Sequence, residues 1–545
     1  MVKVKNLIYF AIFFLTLIIS NQLIFLFFDI TKSPDYTVYS SYFDYFFDNT
    51  DNVEREQGLT YYFFNSLIIK YYNTFFKFSE LSYLLNKSIY TTNYLIYFFG
   101  IIGYYNLLKF YKFSTKNILI ALSFLNFFPI TFMLRMTLKP EIMAFSIIPW
   151  ILFLFEKYFE SNELVNLFLS IPFLVVLMTS KGSIFAISSV FFSILFLKKF
   201  IDIDRKHLLF FTITFIIFIT LTSFENQKSG VSNIFDISSG SGEKIAEDSN
   251  KYNNQASPSI VYKVNMYNLL TSPIDNLHKD SFIAITLLDS FGDYFKLYWN
   301  NNDSLFFKDR IELIKVEKTN YISFPQFGEN NLLTIYVQKD TDVYFRESIS
   351  LLFGGLFFIT LLVNIIKKDR FTLFLVSPFI GSTLILFHVI TGYPKNNFDP
   401  MRGDSLKPFY YSFLLCLSFV FLTLIYLKKN RKTKYLLIPY LLVLSFLFGF
   451  PKNIEKQKNE LLEINSYSST CELNKYLIDD KLEIKNCNLN FEFNNNQQFS
   501  KYSGPMKFPY FQSFQIMVII FGGLYMIIYS SIFKKKSSNI INNIR

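Results

Sequence analysis

Asn6-Leu-Ile-Tyr-Phe-Ala-Ile-Phe-Phe-Leu-Thr-Leu-Ile-Ile-Ser-Asn-Gln-Leu-Ile-Phe-Leu-Phe-Phe28 runs 23 residues without a charged side chain. A bilayer core of about 30 Å takes about 20 residues of α-helix, so this stretch is long enough to cross it. Lys3 and Lys5 precede it and Asp29 follows. It exceeds the apolar core of a signal peptide and lacks a small-residue cleavage site, so a retained span is expected. The same test applied outward gives eleven more segments: 89–109, 117–134, 140–156, 164–180, 182–197, 208–224, 349–366, 371–391, 408–427, 434–450 and 513–533. The tight pair 164–180 and 182–197 is also compatible with a re-entrant hairpin. The expected fold class is an all-α polytopic membrane protein of about 12 transmembrane helices, with interfacial helices and extracytoplasmic loop insertions.

Composition agrees. Of 545 residues, 51% are apolar, 20% aromatic and only 17% charged. Ordinary soluble domains carry about 25% charged residues. That argues against a soluble enzyme, a disordered chain and a nucleic-acid-binding module. The formal charge of +11 then reflects sorting of loops across a membrane.

Short cytoplasmic loops are enriched in Lys and Arg. With the N-terminus inside, alternate loops collect 22 of them, including Lys109, Lys112, Lys116, Lys157, Lys199, Arg205, Lys206, Lys367, Lys428 and Lys534. The short loops of the other side hold far fewer. An even number of spans then returns the C-terminus to the cytoplasm. Five regions follow: a membrane module 1–224 with outside loop 29–88, a large outside loop 225–348, membrane helices 349–450, an outside loop 451–512, and a last helix with a basic tail, 513–545. Loop 225–348 holds 12 Lys and Arg against 17 Asp and Glu, and it is too long for a mere connector. Cys471 and Cys487 both lie in loop 451–512. They are either a disulfide in an oxidising compartment, contributing about 3 kcal/mol, or two unpaired thiols. Cys416 lies within a span, with no partner in reach.

Loop 29–88 opens with Ser33-Pro34-Asp35-Tyr36, which reads as a helix start with Ser33 as cap and Pro34 at the first helical position. Tyr36, Tyr39, Phe43 and Phe46 or Phe47 then share one face, and Thr37, Ser40, Asp44 and Asp48 the other. Such a helix lies along a membrane surface. Residues 58–77 read as a second one. Asp35 either answers the helix dipole or acts as a general base at the boundary.

Further polar groups fall at outer turns. Arg135-Met-Thr-Leu-Lys139-Pro140-Glu141 joins two spans. It is either a charged turn with Glu141 answering the dipole, or a site where Arg135 or Lys139 holds a lipid phosphate. Lys181, in Ser180-Lys181-Gly182, either snorkels to the interface or joins that phosphate site. Arg402, in Asp399-Pro-Met-Arg402-Gly-Asp404, precedes Lys407-Pro408-Phe409-Tyr410. His388, near the end of a span, is a packing residue or a ligand. Asp289 and Asp293, spaced i, i+4 within 281–299, form either a solvated helix face or a pair that binds a sugar or a divalent metal. No Walker, dinucleotide-binding, zinc-protease or Cys-x-x-Cys motif is present.

These features together resemble the GT-C superfamily of integral-membrane glycosyltransferases. Its members have a cytoplasmic N-terminus, many spans and a large first outside loop opening on an acidic residue. Lys139-Pro140-Glu141 is similar to the basic-Pro-acidic triplet that many of them carry at this turn. The Asp35 segment, with Glu56-Gln57-Gly58 downstream, is similar to the EpsG family of exopolysaccharide proteins, with Gln57 where those show Pro. An Asp-Ser-Phe-Gly-Asp-Tyr-like element, as at 289–294, occurs in outside loops of some GT-C proteins. The resemblance implies a bacterial inner-membrane enzyme that moves a sugar from a polyprenyl-phosphate donor to a glycan or glycolipid acceptor, with inversion. It implies Asp35 as general base, with Asp44 next, and the lipid phosphate at Arg402, Lys139, Arg135 or Lys181. Glu141, Asp289, Asp293, Tyr410 and His388 are the expected substrate contacts. No cofactor beyond a divalent metal is expected. A polysaccharide polymerase or ligase is the second reading, and a flippase or transporter the third.

Overall fold

The computed structural model describes residues 2–27, 30, 36–48, 57–76, 78, 81–201, 203–231, 258–271, 281–289, 315–316, 319–327, 332–392, 408–429, 462–465, 502 and 504–542. Most of these are helical. The chain begins with α1 (Val2–Phe27), α2 (Tyr36–Asp48), α3 (Leu59–Phe75), α4 (Leu81–Phe110), α5 (Thr115–Asn126) and α6 (Pro129–Arg135). There follow α7 (Glu141–Ser161), α8 (Leu164–Ser180), α9 (Gly182–Ile201) and α10 (Arg205–Lys228). The second half adds α11 (Met266–Thr271), α12 (Phe282–Asp289), α13 (Asp340–Ile366), α14 (Thr372–Gly392), α15 (Ser412–Lys429) and α16 (Tyr510–Asn542).

Eleven of the twelve expected segments fall on helices, and 434–450 lies outside the described residues. By length and composition, four helices among the described residues suit a membrane crossing: 7–26, 141–161, 205–228 and 408–428. The pair α5–α6 makes a fifth if it is one span, and it is bent by 63°. Segment 117–134, expected as one span, is therefore two helices joined at a bend. Pro129 has no N–H for the helical ladder. The chain closes α5 with three-residue bonds from Phe127 and Phe128 to Phe124 and Leu125 instead.

Burial identifies the solvent these helices are built for. α10 exposes Leu209, Ile213, Ile216, Ile217 and Phe224, while Thr222 and Asn226 are its buried residues. A helix with its apolar side chains outward and its polar ones inward is suited to lipid. α1 is similar, exposing Leu7, Ile12, Leu15, Ile18, Ile19 and Leu26 around a thin buried line of Phe13, Leu17 and Ile24.

The centre is α4 packed on α7. A Cβ at Gly103 would stand 2.7 Å from the buried Trp150 ring, and one at Gly100 would stand 2.7 Å from the Ser146 backbone. Small residues at this spacing let two helices approach closely without water to drive them. Trp150 donates its indole N–H to the Phe99 carbonyl at 3.0 Å.

One small antiparallel sheet departs from the all-helical expectation. β1 (Lys315–Val316), β2 (Thr319–Phe327), β3 (Leu332–Lys339) and β4 (Leu462–Asn465) lie in that order. Leu332 to Ile335 pair with Asn465 to Leu462, so the two long loops meet. The stretch Leu-Leu-Thr-Ile-Tyr-Val is rich in β-branched and aromatic residues, which favour a pleated surface.

The helix ends sort into two groups. The turns at Glu141, Lys181 and Pro408, the start of α3, the end of α10 and the start of α16 meet at one end. At the other, Tyr111, Glu156, Lys199 and Arg370 meet, with Tyr158 against His207 nearby. These are the two groups that the charge alternation assigns to opposite sides.

Candidate active site at the tyrosine-rich end

The start of α3 is seated by backbone contact. Gly58 donates its N–H to the Ser180 carbonyl at 3.0 Å. A Cβ at Gly58 would stand 2.0 Å from the Thr179 carbonyl oxygen, so only glycine fits. Beside it, polar side chains of α10 and α16 form a clasp. Asn226 Oδ1 accepts from the Leu59 N–H at 3.3 Å and from Gln512 Nε2 at 2.7 Å. Thr60 Oγ1 donates to Gln512 Oε1 at 2.9 Å. The Glu225 carboxylate accepts the first N–H groups of α16, from Phe511 at 3.0 Å and Gln512 at 2.9 Å. Open donors at a helix N-terminus favour such a carboxylate.

α2 and α3 then make an aromatic floor. Tyr42 and Tyr62 stack with centroids 3.8 Å apart. Gln57 bonds both: the Tyr42 hydroxyl accepts its N–H at 2.7 Å, and the Tyr62 hydroxyl donates to its Oε1. Tyr61 donates to Asn93 Oδ1 at 2.7 Å, and Asn93 Nδ2 reaches the Arg135 and Thr137 carbonyls at 3.0 and 2.9 Å. Burial raises the Tyr61 and Tyr62 hydroxyls above their ordinary range, so both stay protonated donors.

Onto this floor two turns bring charge. Pro140 caps α7 and leaves Glu141 in its first turn. Lys181 is the single residue between α8 and α9. Its Nζ lies 2.7 Å from Glu141 Oε1, with the Glu141 side chain fully buried and that of Lys181 14% exposed. Burial pulls the Lys181 ammonium down, but the neighbouring Glu141 carboxylate pushes it up and the net displacement is upward. Lys181 Nζ also lies 4.8 Å from the Tyr410 ring centroid. Lys139 is buried, with Nζ 5.6 Å from the Tyr39 ring and 5.5 Å from that of Phe409. Glu141 Oε2 has no hydrogen-bond partner among the described residues. Two ammonium groups, one carboxylate with an unspent oxygen, and aromatic walls thus occupy one end of the bundle. Such a set suits a phosphate joined to a polyhydroxylated group.

The expected site residues divide clearly. Lys139, Glu141, Lys181 and Tyr410 are brought together. Asp44 lies half-buried on α2. Arg135 is placed elsewhere, inside the bundle. All five of its N–H donors go to protein: Nε to the Thr131 carbonyl, Nη1 to Ser20 and Asn21, and Nη2 to the Asn126 carbonyl and Thr131 Oγ1. It ties α6 to α1 and lies 4.4 Å from the Tyr97 ring. His388 is half-buried on α14, and Asp289 ends α12. Asp35, Asp293, Arg402, Cys471 and Cys487 lie outside the described residues. No three His, Cys, Asp or Glu side chains gather among the described residues as a metal site would need.

Sequence reading missed Gln57, Tyr61, Tyr62, Glu225, Asn226 and Gln512. A signal existed for the clasp. Thr222 and Asn226 are spaced i, i+4, and Gln512 and Gln515 i, i+3, in runs otherwise apolar. Polar residues so placed face a helix neighbour rather than lipid. No family model, curated protein or solved structure matches this chain.

Proposed function

We propose that the protein is a GT-C-type membrane glycosyltransferase. It moves a sugar from a polyprenyl-phosphate donor to an extracytoplasmic glycan or glycolipid acceptor. The chain then crosses the membrane about twelve times, with both termini cytoplasmic and the tyrosine-rich end outside. The observation that carries this reading is the convergence of Lys139, Glu141 and Lys181 on Tyr39 and Tyr410. Lys139 and Lys181 hold the donor phosphate and stabilise the charge that builds on it as it leaves. Glu141 Oε2 accepts a hydrogen bond from a sugar hydroxyl. Asp35, which directly precedes α2, takes the proton of the acceptor hydroxyl. That oxygen bonds to the anomeric carbon as the bond from carbon to phosphate oxygen breaks on the opposite face, inverting the configuration.

The test is mass profiling of envelope glycolipids and polysaccharides from wild type, a deletion strain and Asp35→Asn. Loss of one defined sugar is expected in both mutants, with the Asp35→Asn rate down about 10²-fold or more, as befits a general base. Normal activity in a folded Asp35→Asn protein would move the base to Asp44. Collapse of long chains to single repeat units would replace the transferase with a polymerase. Unchanged glycans in the deletion strain would leave transport as the reading.

A further inference from the structure

The opposite end of the bundle carries a cleft of about 810 Å³ between the ends of α7 and α9 and the start of α10. Tyr158 and Asn162 line one side, Lys199 the second, and Asp204, Arg205 and Lys206 the third. Asn162 opens the first side, because it ends α7 in the left-handed conformation, with φ 54°.

The charges in this cleft are not all equivalent. Lys199 is held by both oxygens of Glu156, at 2.7 and 2.8 Å. Asp204 caps α10, one carboxylate oxygen accepting the Lys206 N–H at 2.8 Å. The Tyr158 hydroxyl meets His207 Nδ1 at 3.0 Å. Arg205 and Lys206 remain, both exposed, with no ion pair among the described residues. Among the described residues the cleft therefore presents two cations outside any ion pair, beside the Asp204 carboxylate.

What lies next to the cleft selects the anion. One turn on, α10 exposes Leu208 and Leu209, then Ile213, Ile216 and Ile217. A phosphate alone would use only the cleft. An amphiphile would use the cleft for its head and the apolar face of α10 for its chains. Basic pockets between membrane helices are suited to such headgroups.

We propose that this cleft binds the phosphate headgroup of an anionic phospholipid, with Arg205 and Lys206 as its cations and the acyl chains along α10. The site is independent of the glycosyltransferase reading, since it needs only that α10 faces lipid.

The full chain, purified in neutral detergent, is titrated with phosphatidylglycerol or phosphatidylcholine and read by native mass spectrometry. Wild type should retain phosphatidylglycerol and release phosphatidylcholine. Arg205→Ala with Lys206→Ala should weaken phosphatidylglycerol binding about tenfold or more, since each cation near such a headgroup contributes appreciably. Lys367→Ala with Lys428→Ala removes the same charge from exposed positions outside the cleft and should leave binding unchanged. Equal loss in both double variants would overturn the proposal in favour of diffuse surface charge. Equal retention of the two lipids would also overturn it. Displacement by inorganic phosphate at the lipid's own concentration would assign the cleft to a free anion instead.

Discussion

Helix α7 carries a glutamate at each end, and each meets a lysine at 2.7 Å. The chemistry and spacing are the same, and the surroundings differ. At the tyrosine-rich end, Glu141 is fully buried, Lys181 is 14% exposed, and Glu141 keeps an oxygen with no hydrogen-bond partner among the described residues. At the lysine-rich end, Lys199 is 42% exposed. There Glu156 is fully used, by Lys199 on both oxygens and by the Tyr111 hydroxyl on one. Buried ions cost solvation, and their attraction offsets that only when geometry and hydrogen bonding are complete. An incomplete buried pair is poor design for stability alone. It is what a site needs if a ligand completes it. The pair at the other end reads as a clip.

The largest break in this comparison is Lys181→Met. It strands the Glu141 carboxylate in a buried place, and should destabilise by about 3–5 kcal/mol. Thermal unfolding in detergent measures it. Glu141→Gln with Lys181→Met should recover much of that loss, because no lone charge is left. The same pair predicts an alkaline limb. Lys181 is displaced upward, so its contribution is whole below the ordinary lysine value of 10.5 and fades as pH rises through the displaced one. Wild-type stability should fall on that limb more than Lys181→Met does.

Next in size is Gly58→Ala. The added Cβ cannot fit 2.0 Å from the Thr179 carbonyl oxygen. The α3 start must lift from α8, straining the bonds to Asn226 and Gln512. Overpacking of this kind costs about 1–3 kcal/mol. Faster proteolysis between α2 and α3, with the rest of the bundle intact, is the expected readout. Uniform unfolding would mean that the layer and bundle fold as one unit.

The sequence shows much of this architecture because lipid imposes a simple rule. Uncharged runs of span length had to be helices, and the Lys and Arg alternation anticipated which helix ends meet. Lys139, Glu141 and Lys181 were legible because charge at a turn between apolar runs is conspicuous. Arg135 was equally conspicuous, but nothing local shows that its partners Ser20 and Asn21 come from the first helix. The clasp was harder still, since Asn226 and Gln512 lie 286 positions apart. The bend at Pro129 was visible in principle and was masked by apolarity that continues across it.

The smallest expected effect sharpens the comparison most. Lys199→Met removes an ion pair that matches Glu141–Lys181 in distance and differs in exposure. The lysine stem lies near the Phe159 and Phe196 rings, with Nζ 5.2 and 5.6 Å from their centroids. Methionine keeps that apolar packing, so the substitution isolates the charge. Glu156 keeps the Tyr111 hydroxyl and access to water. The expected cost is about 1 kcal/mol, because Lys199 is 42% exposed even though the Glu156 side chain is only 14% exposed. The difference between Lys181→Met and Lys199→Met, measured under one detergent and pH, then reports burial together with the hydrogen bonds each carboxylate keeps. If the two cost the same, burial does not distinguish the ends, and the unspent oxygen of Glu141 loses its meaning as a ligand's place.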